Sequence, residues 1–281
     1  MPELPEVETV RRGLQQFSVD RSITQVEVLR ASTIAYPEIP DFISGLTGAV
    51  FQEWQRRGKY LLAKCVNADH SPRGWLGVHL RMTGQLLWLT ELHELEKHAR
   101  VRFLMPQGQE LRFVDQRTFG KMWWLAATEQ PELIISGLGK LGPEPFSQEF
   151  SPQYFIDRLQ RSKRQIKAAI LDQTVVAGVG NIYADEALFL SGIQPTTTTS
   201  DLQESQIKAL RLSIIKVLQD SIEAGGTTFS NYLNVQGTNG NYAGLAWVYN
   251  RQGEPCRECG TVIVKTRAAG RGTHYCPSCQ H

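Results

Sequence analysis

The chain has 281 residues, of which 41% are hydrophobic and 21% charged, with a formal net charge of only +2. That length is too great for one small core and suits two or three modules, and the near-neutral total says little by itself about partners. No apolar run is long enough to span a bilayer, and the acidic, polar N-terminus has no signal-peptide core, so the protein is expected in the cytosol.

In chain order, Val7, Val10, Leu14 and Phe17 recur at steps of three and four, which predicts a helix from Pro5 to about Phe17 with one apolar face. From Ile23 to Leu125 the pattern turns strand-like: Ile23, Val26 and Val28, then Tyr60 to Leu62, Trp75 to Leu80, Gln85 to Leu89, Val101 to Met105, Leu111 to Val114 and Met122 to Leu125. Short strands at close spacing predict a β-sandwich, interrupted by a short helix near Asp41 to Leu46. The Gly- and Pro-rich stretch from Leu138 to Pro152 reads as a linker. Ile207, Leu210, Ile214 and Val217 then line a helix from about Leu202 to Ala224, closed by Gly225-Gly226. Ser230 to Gly244 is rich in Gly and Asn and reads as a mobile loop.

The tail carries Cys256, Cys259, Cys276 and Cys279 in the spacing C-x2-C-x16-C-x2-C. Two paired knuckles of thiolates match a tetrahedral zinc site. With all four positions cysteine, none is left for water, so the ion is structural. The alternatives are unrelated thiols or two disulfides, which a reducing compartment disfavours. Thr261 to Val264 and Gly272 to Tyr275 read as the strands of a hairpin, with Arg267 and Arg271 at or near its turn, placed for a phosphate or a groove. Five cations against two acids from Arg251 onward, and the cluster Arg158, Arg161, Lys163, Arg164 and Lys167, hint at a polyanionic partner. Cys65 stands alone in an apolar strand and reads as core.

Pro2 admits two readings. It can simply open the first helix, where its missing N–H costs nothing. If Met1 is removed, it becomes a secondary amine beside Glu3. An α-amino group titrates near pH ~8, so part of it is neutral and nucleophilic in the cell. Its attack on an aldehyde-level carbon gives an iminium, an electron sink for elimination at neighbouring carbons.

Gly178-Val179-Gly180-Asn181-Ile182-Tyr183-Ala184-Asp185-Glu186 lies between two helical stretches. Alone it could be an ordinary helix–turn–helix corner, or a helix start holding a phosphate. Together with Met1-Pro2-Glu3-Leu4-Pro5-Glu6 at the front and the cysteine quartet at the back, it makes the chain resemble the bacterial formamidopyrimidine-DNA glycosylases, collinearly from Pro2 to Cys279.

The resemblance implies an α+β multidomain fold. Residues 1–137 would form a catalytic β-sandwich with flanking helices and 138–152 a linker. Residues 153–244 would form a helix–two-turn–helix DNA-binding domain with a lesion-capping loop, and 245–281 a zinc finger, with DNA in the cleft between them. It implies a monomeric bifunctional glycosylase and AP lyase for oxidised purines such as 8-oxoguanine and formamidopyrimidines, with damaged duplex DNA as partner, one structural Zn2+, no membrane, and a bacterial cytoplasmic, nucleoid-associated location.

It also implies roles. Pro2 is the amine nucleophile, Glu3 the adjacent catalytic acid, expected to need a raised pKa, and Lys59 the catalytic β-hairpin lysine. Glu6 is a second acid near the damaged nucleotide. His79 contacts a phosphate. Met82, Arg117 and Phe119 fill the gap left by an extruded base, Asn181 binds phosphate, and Arg271 is the zinc-finger arginine. Lys163, Arg164 and Lys167 are expected DNA contacts. Plainer readings stand beside these: a first-turn helix acid for Glu3, a solvated strand-end lysine for Lys59, and core packing for Met82 and Phe119. Arg81, where glycine is common in that family, and Gln116 and Thr118 around Arg117, depart from its pattern. The rival functions are an endonuclease VIII-like glycosylase for oxidised pyrimidines and a non-catalytic zinc-containing DNA-binding protein.

Overall fold

The computed structural model describes residues 1–91, 94–227, 235 and 241–281; the expected capping loop at 230–244 therefore lies largely outside the described residues. The chain divides into two compact units, Met1–Lys140 with Gly225–Asn241, and Leu141–Ala224 with Tyr242–His281.

The first unit opens with helix α1 (Leu4–Phe17), which buries Val7, Val10 and Leu14 as their spacing requires. Strands β1 (Gln25–Val28) and β2 (Ile34–Tyr36) and helix α2 (Ile39–Leu46) follow, then β3 (Val50–Arg57), β4 (Tyr60–Val66), β5 (Pro72–His79), β6 (Gly84–Leu89), β7 (Ala99–Leu104), β8 (Glu110–Asp115) and β9 (Lys121–Ala126), closed by the short helix α3 (Pro131–Ile134). They form two sheets, ordered β1-β7-β8-β6 and β2-β9-β5-β4-β3. Every pairing is antiparallel except β2 with β9.

Alternation places one face of each sheet inward. Ala99, Val101 and Phe103 of β7 are buried while Arg100, Arg102 and Leu104 are less so. Leu86, Val101, Phe103, Leu111 and Phe113 from one sheet share a single core with Phe51, Trp54, Leu61, Leu76, Val78 and Met122 from the other. That is the sandwich, with α1 packed along it through Val7, Val10 and Leu14. Val235 joins this core, and its carbonyl accepts from Trp88 N at 2.8 Å. Between β3 and β4 the turn needs only Gly58 and Lys59, because Arg57 pairs directly with Tyr60 and Gly58 adopts the left-handed φ of +55° that favours glycine.

The second unit holds helices α4 (Pro152–Gln160), α5 (Ile166–Leu171), α6 (Asn181–Leu190) and α7 (Glu204–Glu223), and a hairpin of β10 (Val264–Ala268) and β11 (Arg271–Tyr275). α6 is central, with every residue from Ile182 to Phe189 buried. α7 covers it with Ile207, Leu210, Ile214 and Val217. The turn before α6 is tied by Gln173, whose amide donates to the carbonyls of Leu171 and Val179 and whose oxygen accepts from Gly178 N.

The tail hairpin corrects the sequence reading in register. Its first strand begins at Val264 rather than ending there, because Thr261 to Ile263 serve the cysteine knuckle: Cys256 N donates to Thr261 O and Ile263 N to Glu254 O. Arg267 pairs with Gly272 and Ala268 with Arg271. Directly opposed residues share a face and neighbours along a strand alternate, so Arg267 and Arg271 point to opposite faces and cannot serve one groove together.

Among described non-glycine residues, Arg81 and Thr118 both sit at φ +56°. That conformation costs an L-residue about 1–2 kcal/mol, while glycine loses about 0.5–1 kcal/mol more entropy on folding. Arg81→Gly is therefore expected to leave stability unchanged or to raise it by up to about 1.5 kcal/mol. Arg81→Val is expected to lower it by at least about 1 kcal/mol, both read from urea midpoints.

Candidate functional site

The leading segment is enclosed within the first unit. Pro2 is buried, and Glu3 and Glu6 expose only 2% and 1% of their surface. α1 starts with a reciprocal capping box, in which the Glu3 side chain takes the backbone N–H of Glu6 and the Glu6 carboxylate takes that of Glu3 at 2.8 Å. The other oxygen of Glu6 accepts from Thr227 N at 3.0 Å. Gly226 approaches the same carboxylate, and a Cβ there would stand 3.3 Å from it. Both oxygens of Glu6 thus hold backbone, so it fixes where Pro2 and Glu3 lie.

Lys59, from the tight β3–β4 turn, is 7% exposed. It is a buried cation, not the solvated strand-end lysine of the plainer reading. The terminal amine, here that of Met1, is held below its ordinary value, chiefly because burial disfavours its charged form. Glu3 and Glu6 oppose that shift, while the positive charges of Lys59 and Arg117 add to it. The leading amine, the carboxyl groups of Glu3 and Glu6, and Lys59 thus act on one another within one largely buried environment.

Two loop tips belong to the same unit. His79 closes β5 with its ring edge-on to Tyr60 at 4.5 Å. Desolvation, followed by the charges of Arg81 and Lys59, pushes its pKa down to about 3. It is therefore neutral, and because Arg81 N donates to its Nδ1 at 3.0 Å, its remaining hydrogen sits on Nε2. The tip after β5 exposes 37% of Met82, and the tip between β8 and β9 exposes 48% of Phe119. Neither is core, as an isolated Met or Phe ordinarily would be. The Arg117 guanidinium lies 4.6 Å from the centre of the Phe119 ring, a cation–π contact.

In the second unit the expected phosphate contacts divide. Lys163 and Arg164 are exposed, though Arg164 pairs with Asp172 at 2.8 Å. Arg271 is exposed beside the hairpin turn. Asn181 opens α6 and donates through Nδ2 to Gly272 O at 3.0 Å. Lys167 does not fit the expectation of a DNA contact. It is fully buried, pairs with Asp185 at 2.6 Å, and donates to Thr273 Oγ1 at 2.8 Å and Gly272 O at 3.1 Å. A cation so enclosed has no face left for a phosphate; it joins α5 to the hairpin.

The acids of α6, which the sequence reading passed over, anchor the same module. Asp185 accepts from His274 N at 2.9 Å. Glu186 accepts from the backbone N–H groups of Trp247, Val248 and Tyr249 at 2.8 to 3.0 Å, and burial pushes its pKa up. Two consecutive acids inside an otherwise apolar helix were the signal that could have found them.

Beneath the hairpin, the four cysteine sulfurs lie within 4.8 Å of one another. Cys259 and Cys276 are 3.5 Å apart and Cys256 and Cys279 3.9 Å. Four thiolates around one tetrahedral zinc at ~2.3 Å stand about 3.8 Å apart, so the donor set and its spacing both fit.

Three family models match the chain: the formamidopyrimidine-DNA glycosylase N-terminal domain over residues 1–122, the H2TH domain of the same enzymes over 141–232, and a zinc finger found in FPG and IleRS over 253–281. A protein of Acaryochloris marina named formamidopyrimidine-DNA glycosylase is 59% identical over 281 residues, covering 100% of this chain and 99% of its own. A Lactococcus lactis FPG variant in complex with Fapy-dG-containing DNA superposes with a TM-score of 0.91 at 37% identity, covering 100% of both chains. The wild-type Lactococcus lactis FPG bound to DNA containing an oxidised pyrimidine gives 0.90 at the same identity and coverage.

Structural zinc sites of this kind carry apparent binding free energies of about 10–16 kcal/mol, which are also folding free energies. Cys276→Ser is accordingly expected to lower bound zinc well below one ion per chain and to abolish amide-exchange protection across β10 and β11. Metal analysis and hydrogen exchange measure the two effects.

Proposed function

Because this chain belongs to the formamidopyrimidine-DNA glycosylase family, we infer that it excises oxidised purines from duplex DNA and then cleaves the strand as an AP lyase. The observation that carries the reading is the enclosed leading end of the first unit. There burial lowers the pKa of the chain's leading amine, that of Met1, and encloses Pro2, the carboxyl group of Glu3 and Lys59. A merely DNA-binding protein has no use for three such groups in so dry a place.

A base within a duplex hides its sugar carbon C1′, so the nucleotide must be extruded, at a cost of a few kcal/mol. Met82 and Phe119, apolar and exposed at loop tips, fill the space and wedge the stack. Arg117 hydrogen-bonds the orphaned partner base. With Met1 removed, the Pro2 nitrogen attacks C1′, the base leaves with the bonding electron pair, and the proton that the nitrogen sheds on bonding passes to the departing base. Glu3 gives a proton to the ring oxygen, which opens the sugar and leaves an iminium at C1′. Loss of a C2′ proton expels the 3′ phosphate. A second elimination expels the 5′ phosphate. Hydrolysis of the conjugated iminium then returns the free amine. Lys59 stabilises the negative charge that builds on a phosphate. Zinc, held by Cys256, Cys259, Cys276 and Cys279, supplies structure and no chemistry. In this reading the enzyme works on the bacterial nucleoid.

Borohydride reduces an iminium to a stable amine, so treatment during reaction with an 8-oxoguanine:cytosine duplex is expected to trap protein on DNA through Pro2. Glu3→Gln is expected to slow base excision by about 10²–10⁴-fold. An adduct mapping elsewhere, or retention of Met1 in active enzyme by mass analysis, refutes the mechanism.

The phosphate contacts make a separate prediction. His79 is a neutral donor, whereas Arg271 is a cation. Each phosphate neutralised by a cation releases counterions and adds about 0.9 to the salt slope on B-DNA. Arg271→Ala should therefore flatten the dependence of log K on log salt by about one. His79→Ala should weaken binding without changing that slope. Fluorescence anisotropy over a salt series distinguishes them.

A further inference from the structure

The loop tips that carry Met82 and Arg117–Phe119 are separated by more than thirty residues of sequence, yet one buried carboxylate holds both. Asp115, the last residue of β8, has no exposed surface. Its Oδ1 accepts from the Thr83 hydroxyl at 2.5 Å and from Arg117 N at 3.2 Å. Its Oδ2 accepts from Gly120 N at 2.7 Å. The Thr83 hydroxyl accepts in turn from Arg117 N at 3.0 Å. Thr83 directly follows Met82, and the two N–H groups bracket Thr118 and Phe119. Asp115 is fixed from behind as well, since its own N–H donates to His98 O at 2.9 Å and its carbonyl accepts from Arg100 Nε at 2.8 Å.

The space around this link is closed. A Cβ on Gly84 would come within 2.5 Å of Leu80 O and 2.9 Å of the Phe113 ring, and one on Gly120 within 2.5 Å of that ring. Both tips therefore rest on Phe113 with backbone alone. The Asp115 carboxylate accepts from donors on both tips at once, so neither tip can move without breaking a bond to it. None of these bonds involves the enclosed site around Pro2, Glu3 and Lys59.

We propose that Asp115 and Thr83 are positioning residues that lock the two tips into one rigid unit, so that Met82, Arg117 and Phe119 enter the duplex together when a base is extruded. This rests on the glycosylase reading above. Without the link the three side chains enter independently. The loss falls on the step that opens the duplex and on discrimination of the partner base by Arg117. It does not fall on chemistry at a sugar that has already lost its base.

The test compares Thr83→Val, which keeps the shape and removes the hydroxyl, with Thr83→Ser, which keeps the hydroxyl, in single-turnover assays with zinc-loaded full-length protein. Thr83→Val is expected to slow excision from 8-oxoguanine:cytosine at least tenfold and to narrow the preference for cytosine over adenine opposite the lesion. A 2-aminopurine beside the lesion should report slower duplex opening by stopped-flow fluorescence. Cleavage of a duplex with a preformed abasic site should change less than twofold, and Thr83→Ser should restore all three readouts. Thr83→Ala, which only truncates, checks that valine itself does not crowd the tip, and is expected to behave as Thr83→Val. Equal losses on the 8-oxoguanine and abasic duplexes, no loss on either, or failure of serine to rescue overturns the proposal. A wild-type protein that excises no 8-oxoguanine defeats the glycosylase reading instead, and the two failures are thereby distinguished.

Discussion

Two backbone amides, those of Glu3 and Thr227, share the carboxylate of Glu6, and the placement of the leading segment depends on that arrangement. A chain end is ordinarily the least ordered part of a domain. Here it is enclosed, and a carboxylate is a costly group to bury unless its oxygens are satisfied. Glu6 meets the requirement with main-chain donors from opposite ends of the first unit's sequence, so α1 cannot start elsewhere without orphaning a buried charge. The dry setting that holds the terminal amine below its ordinary value follows from the same enclosure.

The second unit repeats the device with different partners. The buried acids of α6 hold the cysteine module at two places: Asp185 at His274 in β11, and Glu186 at the three successive amides of 247–249. Lys167 balances one of these charges and shares the Gly272 carbonyl with Asn181. Asn181 and Arg271 are thereby indexed to one another through a single carbonyl group next to Arg271. Metal and carboxylates divide the work: the thiolates close the knuckles, and the acids decide where the closed module sits on the helix.

What could be read in the sequence follows from how local its cause was. α1 and α7 announced themselves because their buried faces recur every three or four residues, and the cysteine quartet because zinc geometry imposes its spacing. The first hairpin strand was misplaced because Thr261-Val262-Ile263-Val264 has the β-branched character of a strand, whereas the knuckle hydrogen bonds that claim it depend on metal-site geometry. Lys167 looked like one more surface cation in a basic stretch; its partners Asp185 and Thr273 lie far along the chain, and nothing local marks them. Asp115 was hidden for a similar reason, since an acid before a loop is unremarkable until the loop it binds is seen. Glu6 was singled out through resemblance as an acid near the damaged nucleotide, while its grip on Thr227 became visible only in three dimensions.

The enclosure of Pro2 and Glu3 also bears on how the protein can be handled. A purification handle or reporter fused ahead of Pro2 would have to lead away from a buried residue through the partly exposed position of Met1, and it would leave the Pro2 nitrogen an amide with no basic lone pair. At the opposite terminus His281 is exposed. Labels and tethers are therefore better carried by exposed positions such as His281 than by the enclosed leading segment.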